Sequence, residues 1–179
     1  MKAKKCKHCL KPHTGINAWC SPNCGYALAI TKVKAAKEKK ERKEIKIRKE
    51  KLKSRRDWLK DAQVAFNAYI RARDSGLGCI SCGTLTAGQY HAGHYRTVKA
   101  MPELRYNEFN VMLQCAQCNN FDSGNILEYR LGLIKRIGID KVEWLETNQH
   151  ESLKYTIDEL KELIKLHRKK ARDLNKSSN

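Results

Sequence analysis

All eight cysteines of this 179-residue chain fall into four close pairs, and this spacing constrains the fold more than any other feature. Thiols two or three residues apart can meet on one metal ion from a tight turn, which is the ligand spacing of zinc sites. Four disulfides or redox-active pairs are the alternative, and they are disfavoured in a reducing compartment. No cysteine is left over, and the pairs are Cys6/Cys9, Cys20/Cys24, Cys79/Cys82 and Cys115/Cys118.

The four pairs group into two quartets, each predicted to hold one structural zinc ion. The first quartet lies within residues 6–24 and forms an N-terminal zinc module, where His8 and His13 are either alternative ligands or surface residues. The second quartet joins residues 79–82 to residues 115–118. Four thiolates complete a tetrahedral zinc shell and leave no open position for chemistry.

Positive charge is concentrated in the first part of the chain. The formal net charge is +18, and residues 1–75 hold 22 of the 37 basic residues but only 7 of the 19 acidic ones. Residues 26–53 contain neither Pro nor Gly, which predicts a long, exposed basic helix or a partly disordered tether. Such a surface attracts polyanions, nucleic acid before anionic membrane. The predicted phosphate contacts in this arm, otherwise a solvated linker, are Lys39, Lys40, Arg42 and Lys43.

Periodicity and turn residues predict the remaining elements. A capping box at Ser54–Asp57 opens a helix with a core-facing stripe, and a second box opens a helix at Thr156. Strands are predicted at 89–94 and 109–113, and helices at or after 119 and at 125–137. The predicted organisation is an N-terminal zinc module (1–26), a basic helical arm (27–56), a core with its preceding helix (57–137), a C-terminal helical region (138–174) and a disordered tail (175–179).

The sequence predicts a cytoplasmic protein that does not associate with membranes. Its apolar runs are too short to span a bilayer, and its first residues lack the apolar stretch of a signal peptide. Together with the basic arm, this predicts that the protein works on nucleic acid.

Two histidines, His91 and His94, lie inside the second quartet but are not needed to complete its zinc shell. Hydrolysis of a phosphodiester needs a base for the water, a cation for the phosphate and leaving oxygen, and donors that hold the strand. A neutral imidazole can be the base, and an Asn or Asp oxygen can hold Mg²⁺. A packed hairpin histidine is the simpler alternative for His94.

The run His91-Ala-Gly-His94, followed by Asn110 and by Cys118-Asn119, resembles the HNH (His-Me finger, ββα-metal) nucleases, many of which are framed by two Cys-x-x-Cys pairs. The resemblance implies that His94 is the general base, that Asn110 braces the hairpin and that Asn119 binds the catalytic metal. The position of Asn119, directly after the last zinc cysteine, is also similar to the arrangement in the phage resolvase endonuclease VII. Asp122 is a further candidate metal ligand.

Several longer runs are similar to the family of phage lambda NinG (Rap) recombination proteins over nearly the whole chain. The resemblance implies a structure-specific endonuclease that acts on branched DNA, Holliday junctions and D-loops included, with Mg²⁺ or Mn²⁺ and with 5′-phosphate products. The implied fold is mostly α, with a small zinc-stabilised ββα-metal core, an N-terminal zinc finger and a long basic helix. The runs span residues 19–24, 79–86, 92–97, 104–107 and 123–125.

One position departs from the family pattern, which has Asp where this chain has His91. If this residue binds the metal, its nitrogen favours a softer ion such as Mn²⁺, Zn²⁺ or Ni²⁺ over Mg²⁺. The alternative is that His91 contacts DNA only.

Partners and competing functions follow from the same residues. Arg96 and Arg105 are either phosphate clamps or ordinary surface charges. Branched DNA is the expected partner in the host cytoplasm, with phage or host recombination proteins, and a two-fold homodimer would most simply make two nicks. The competing functions are a non-catalytic zinc-dependent DNA-binding accessory and a site-specific HNH endonuclease; a ribonuclease is less favoured because no RNA-binding motif is present.

Overall fold

A computed structural model describes residues 3–147, 150–151 and 153–177. The chain divides into two compact units, Met1–Lys53 and Ser54–Asn179. Within the described residues, none of the helices combines the length and apolar character needed to cross a membrane.

The first unit is a small antiparallel hairpin followed by one long helix. Strands β1 (Lys4–Lys5) and β2 (Pro12–His13) pair, and helix α1 runs over Pro22–Lys51. The helix begins earlier than predicted because the Ser21 side chain accepts a hydrogen bond from the backbone N–H of Cys24. The zinc module and the arm therefore share one helix. Residues 29–52 are all exposed, as predicted for a basic arm.

In its described residues, the second unit combines a two-stranded hairpin with four α-helices. Both predicted capping boxes form, at Ser54/Asp57 and at Thr156/Glu159. Gly138 ends a helix, as predicted. The elements are α2 (Arg55–Arg73), β3 (Tyr90–His94), a 3₁₀ turn (Pro102–Leu104), β4 (Val111–Cys115), a π-helical turn (Gln117–Phe121), α3 (Ile126–Ile137), α4 (Ile139–Glu146) and α5 (Ile157–Ser177).

Three local differences from the sequence analysis have physical causes. Strand β4 begins at Val111 rather than Phe109, because the Asn107 side chain accepts hydrogen bonds from the backbone N–H groups of Phe109 and Asn110. Asn119 lies inside a π-helical turn and does not start an α-helix. Helix α5 continues through Ser177, so residues 175–177 of the predicted disordered tail are helical, and residues 178–179 lie outside the described residues.

The hairpin β3/β4 is the middle layer of the second unit. Its strands are antiparallel, and His94 pairs with Val111. One face packs into a cluster with α2 and α5, through Ala92 and Val111; the other packs through Met112 against α3 and α4. Because α5 completes the same core as α2, the regions predicted as 57–137 and 138–174 form one unit, which begins at Ser54.

A buried ion pair joins the end of α2 to the hairpin. The carboxylate of Asp74 is 1% exposed, lies 2.7 Å from Nε of Arg73 and accepts the backbone N–H of Leu113. Arg73 also donates to the backbone oxygens of Glu108 and Val111. The pair therefore fixes the second strand against α2.

We expect Asp74→Asn to lower the free energy of unfolding by about 1–3 kcal/mol, because the amide keeps an acceptor but loses the charge that pairs with Arg73. Urea unfolding of the variant against the native protein measures the difference. Asp158→Asn is the control, because its ion pair with Lys161 is exposed and contributes little. Equal losses in the two variants would contradict the structural role of Asp74.

Candidate active site and metal centres

Both cysteine quartets converge as predicted for metal sites. In each, the four sulfur atoms lie within 4.8 Å of one another. Sulfur–sulfur distances of 3.5 Å for Cys9–Cys20 and 3.8 Å for Cys82–Cys115 are far longer than a disulfide bond of about 2.05 Å. They are close to the roughly 3.8 Å expected between two thiolates bound 2.3 Å from a tetrahedral zinc ion. All eight cysteines are free thiols.

The pKa values of these thiols are also consistent with a cation at the centre of each quartet. Hydrogen bonds from the backbone of Cys9 lower the pKa of Cys6 to about 6. Hydrogen bonding with Cys9 raises the pKa of Cys20 to about 12, and burial raises the pKa of Cys118 to about 12. Full deprotonation of a quartet therefore requires a positive charge at its centre, which zinc supplies.

We expect about two zinc ions per chain in the native protein. Cys24→Ala should leave about one, because it removes a ligand from the first quartet alone. Elemental analysis of the purified proteins measures the stoichiometry. Two ions retained in Cys24→Ala, or fewer than one in the native protein, would contradict the assignment.

Asn110 holds together the ends of the loop that connects β3 and β4. The residue is fully buried, and its Oδ1 accepts the backbone N–H of Arg96 at 2.8 Å. Its Nδ2 donates to the backbone oxygens of Arg96 and Leu104. These three hydrogen bonds of the side chain stay within the hairpin and its loop, which is the position that the resemblance implies for a bracing residue.

His94 is the last residue of β3 and is held by that loop. Its Nε2 lies 3.1 Å from the backbone oxygen of Arg105. A carbonyl oxygen can only accept, so Nε2 carries the proton and Nδ1 keeps a free lone pair. Burial lowers the pKa of His94 below its usual value, helped by the nearby charge of Arg105. The neutral imidazole therefore predominates at pH 7.

Asn119 lies against the same strand, one residue before His94. Its Oδ1 is 3.0 Å from the position that a Cβ on Gly93 would occupy, and its Nδ2 donates to Asn120. Side chains alternate along a strand, so His91 shares this face whereas His94 lies on the opposite one. The prediction that the His94 imidazole and the Asn119 amide face one region is therefore wrong: the two groups lie on opposite faces of β3 near its end.

His91 and Asp122 differ in how they are held. The Nε2 atom of His91 is buried and has no hydrogen-bond partner among the described residues. A buried nitrogen of this kind is available to a cation or to a donor from a ligand. Asp122 is exposed, and its Oδ1 accepts a hydrogen bond from Gln117 at 3.0 Å.

The predicted DNA contacts occupy different settings. The Arg105 guanidinium donates through Nε to Oε1 of Gln63 on α2, and Gln63 donates in turn to Asn67. Arg96 is half-buried at the end of the hairpin. The four residues of the basic arm, Lys39, Lys40, Arg42 and Lys43, are all exposed on α1.

Two buried polar residues that the sequence analysis missed support the site. Gln114 donates to the Ser81 hydroxyl and to the backbone oxygen of Gly124, and its Oε1 lies 2.3 Å from the position of a Cβ on Gly93. A side chain at position 93 would therefore displace the Gln114 amide from these hydrogen bonds. Tyr129 donates to the backbone oxygen of Gly93 and accepts the N–H of Met112. Their spacing in the sequence carries no signal of these long-range contacts.

Comparison with known proteins agrees with the resemblance of the whole chain. The family model described as Bacteriophage Lambda NinG protein matches residues 1–177. The chain belongs to the NinG family. Proteins named protein ninG from Escherichia phage lambda, Salmonella phage P22 and Escherichia phage 933W are 44%, 43% and 43% identical to it. Each alignment covers 98% of this chain and 93% or 94% of the NinG relative.

No solved structure shows significant similarity to this NinG-family chain. The names of its NinG relatives state no activity, so the HNH-type nuclease core stays a prediction. What the fold contributes to that prediction is a strand–strand–helix order, braced by Asn110 and closed by the second cysteine quartet.

Proposed function

We propose that this NinG-family protein is a metal-dependent DNA endonuclease that cuts branched recombination intermediates, such as Holliday junctions and D-loops, during phage recombination. The observation that carries the proposal is the environment of His94, whose imidazole is neutral and half-buried. Its Nε2 donates a hydrogen bond to the Arg105 backbone oxygen, which leaves Nδ1 unprotonated, and the preceding residue of the strand, Gly93, lies next to Asn119.

In this mechanism Nδ1 of His94 takes a proton from the attacking water. The lowered pKa keeps Nδ1 unprotonated at neutral pH, and the bond to the Arg105 carbonyl fixes both ring orientation and tautomer. The fixed ring needs no reorientation before the proton transfer. The hydrogen bond from Nε2 to the Arg105 carbonyl also becomes stronger as the imidazole becomes positively charged.

Asn119 and His91 are the residues that would hold a divalent cation. Asn119 offers Oδ1, because its Nδ2 donates a hydrogen bond to Asn120. His91, on the same face, offers a buried Nε2 that no described residue contacts by a hydrogen bond. A bound Mg²⁺ or Mn²⁺ would neutralise charge on the phosphate and on the departing 3′ oxygen. The nitrogen ligand makes Mn²⁺ the better fit of the two.

The opposite placement of His94 and Asn119 suits an in-line reaction. Attacking and leaving oxygens lie on opposite sides of phosphorus during phosphoryl transfer. In this proposal the water attacks a phosphorus atom at the end of β3 from the side of His94, and the bond to the 3′ oxygen breaks on the side of Asn119.

Arg105 is proposed to clamp a phosphate, with Gln63 as its positioning residue. Nε of Arg105 donates a hydrogen bond to Gln63, so the two terminal nitrogens of the guanidinium remain for a ligand. These two nitrogens match the spacing of two phosphate oxygens. The exposed cations of α1 would add sequence-independent affinity.

The test is incubation of the purified protein with labelled four-way junction, flap, single-stranded and duplex DNA of matched sequence, with Mg²⁺, Mn²⁺ or no added cation. We expect cation-dependent cuts near the branch, faster with Mn²⁺, and 5′-phosphate ends. Junctions with scrambled arms are the control, because cuts that follow the branch exclude a site-specific enzyme. Tight binding without cuts under every cation would overturn the proposal in favour of a non-catalytic DNA-binding protein.

A further inference from the structure

Helix α5 carries a stripe of exposed basic side chains that the proposed active site does not use. Residues at intervals of three and four lie on one side of a helix. At about 100° per residue, all five members of this stripe fall within a sector of about 100°. We call this set the α5 stripe: Lys165, Arg168, Lys169, Arg172 and Lys176, each of them exposed.

The opposite side of α5 is the side buried in the core. Leu160, Ile164 and His167 are at most 6% exposed and pack towards α2. The apolar face of this amphipathic helix is therefore already covered, so it is not free to insert into a lipid surface. What remains at the surface is the basic face.

Few acidic groups neutralise the stripe. Lys165 lies 3.8 Å from Glu162, but both side chains are more than 70% exposed, and such pairs contribute little. Asp173 flanks the stripe on its own helix. Lys170 is excluded from it, because its ammonium is held by Glu108 at 2.7 Å on the core side.

We infer that the α5 stripe is a second DNA-binding surface, which contacts consecutive phosphates of one strand. The stripe runs over the twelve residues 165–176, or about 16 Å along the helix axis. One strand of duplex DNA presents a phosphate about every 3.4 Å along its axis, so the stripe faces about five of them. The inference rests on the proposed function only in taking DNA as the polyanion.

The experiment compares two full-length variants with the same loss of charge. One removes three lysines of the stripe, Lys165→Gln, Lys169→Gln and Lys176→Gln. The matched control removes three exposed lysines elsewhere in the second unit, Lys60→Gln, Lys135→Gln and Lys154→Gln. Fluorescence anisotropy with labelled duplex and four-way junction, over a range of salt and without added Mg²⁺ or Mn²⁺, gives the slope of log K against log salt.

In the stripe variant we expect the slope of log K against log salt to become shallower by about 0.9 for each phosphate contact removed, or by between two and three in total. In the control the slope should change by less than one. Equal slopes in the two variants overturn the inference. Loss of binding to phosphatidylserine vesicles with unchanged DNA binding also overturns it, in favour of a lipid surface. Absence of cleavage by the native protein, with the slope difference present, defeats the nuclease proposal but leaves this inference standing.

Discussion

Replacement of His94 with alanine is expected to lower the single-turnover rate of junction cleavage about 10²–10⁴-fold, the range that a general base contributes. DNA affinity should stay within a few-fold of the native value, because Nδ1 acts on the water and not on the strand. Rate is measured by gel with enzyme in excess over the labelled junction, and affinity by anisotropy without added divalent cation. Cleavage within about threefold of the native rate would eliminate His94 as the base.

A second variant separates the base from the packing of its ring. His94→Gln places an amide N–H donor near the position of Nε2 for the Arg105 carbonyl but offers no nitrogen that accepts a proton at neutral pH. It should therefore keep the fold and zinc content, yet be as slow as His94→Ala. Recovery of most of the activity in His94→Gln would show that the ring has a structural role only.

The pH dependence has a definite direction. Burial lowers the pKa of His94, so its deprotonated form predominates from a lower pH than for an ordinary histidine, whose pKa is about 6.5. The native rate should rise with pH on the acid side of that value and stay level from pH 7 to pH 8. His94→Ala should lack this acid limb.

Local chemistry made much of the fold predictable from the sequence. The two cysteine quartets, the capping boxes at Ser54 and Thr156 and the helix stop at Gly138 each depend on residues a few positions apart. Such signals survive in any tertiary context, because caps and turns satisfy backbone groups within one turn of the chain. The hairpin strands also followed from their residues, with a shift of one or two positions.

The parts that could not be predicted depend on distant contacts. Asp74 is a loop carboxylate by its sequence neighbours, yet it is buried against the N–H of Leu113, 39 residues away. Gln114 is likewise fixed by Ser81 and Gly124.

The shape of the Asn119 turn depends on backbone conformations that periodicity does not reveal. The φ angles of Ser123 and Asn125 are +51° and +41°, and both residues flank a glycine at +85°. These left-handed residues separate the π-helical turn from α3, so Asn119 belongs to the turn and not to the first turn of α3. The candidate metal ligand is therefore held by a strained loop, where functional residues often occur.

That loop depends on the second zinc site, so Cys118→Ala is expected to have the largest effect of any single change. Cys118 is buried, its sulfur accepts a hydrogen bond from Asn125, and Asn119 follows it directly. Structural zinc sites contribute about 10–16 kcal/mol of binding energy in small zinc-finger peptides, and part of that is folding energy. We expect the variant to contain about one zinc ion per chain, and its cleavage to fall to background.

Hydrogen exchange locates the damage. Peptides covering 90–94 and 111–121 should lose protection in Cys118→Ala. The reason is that zinc would no longer link β4 and the π-helical turn to the cysteine pair Cys79/Cys82. Peptides of the capped end of α2 should change less, since Ser54 and Asp57 hold it locally. Cys24→Ala is the matched control: it also loses one zinc ion, but the missing ligand belongs to the first unit, so protection of the β3/β4 hairpin should persist. Native protection of that hairpin in Cys118→Ala would mean that hydrogen bonding and core packing alone hold it, and that the second zinc is dispensable for placing Asn119.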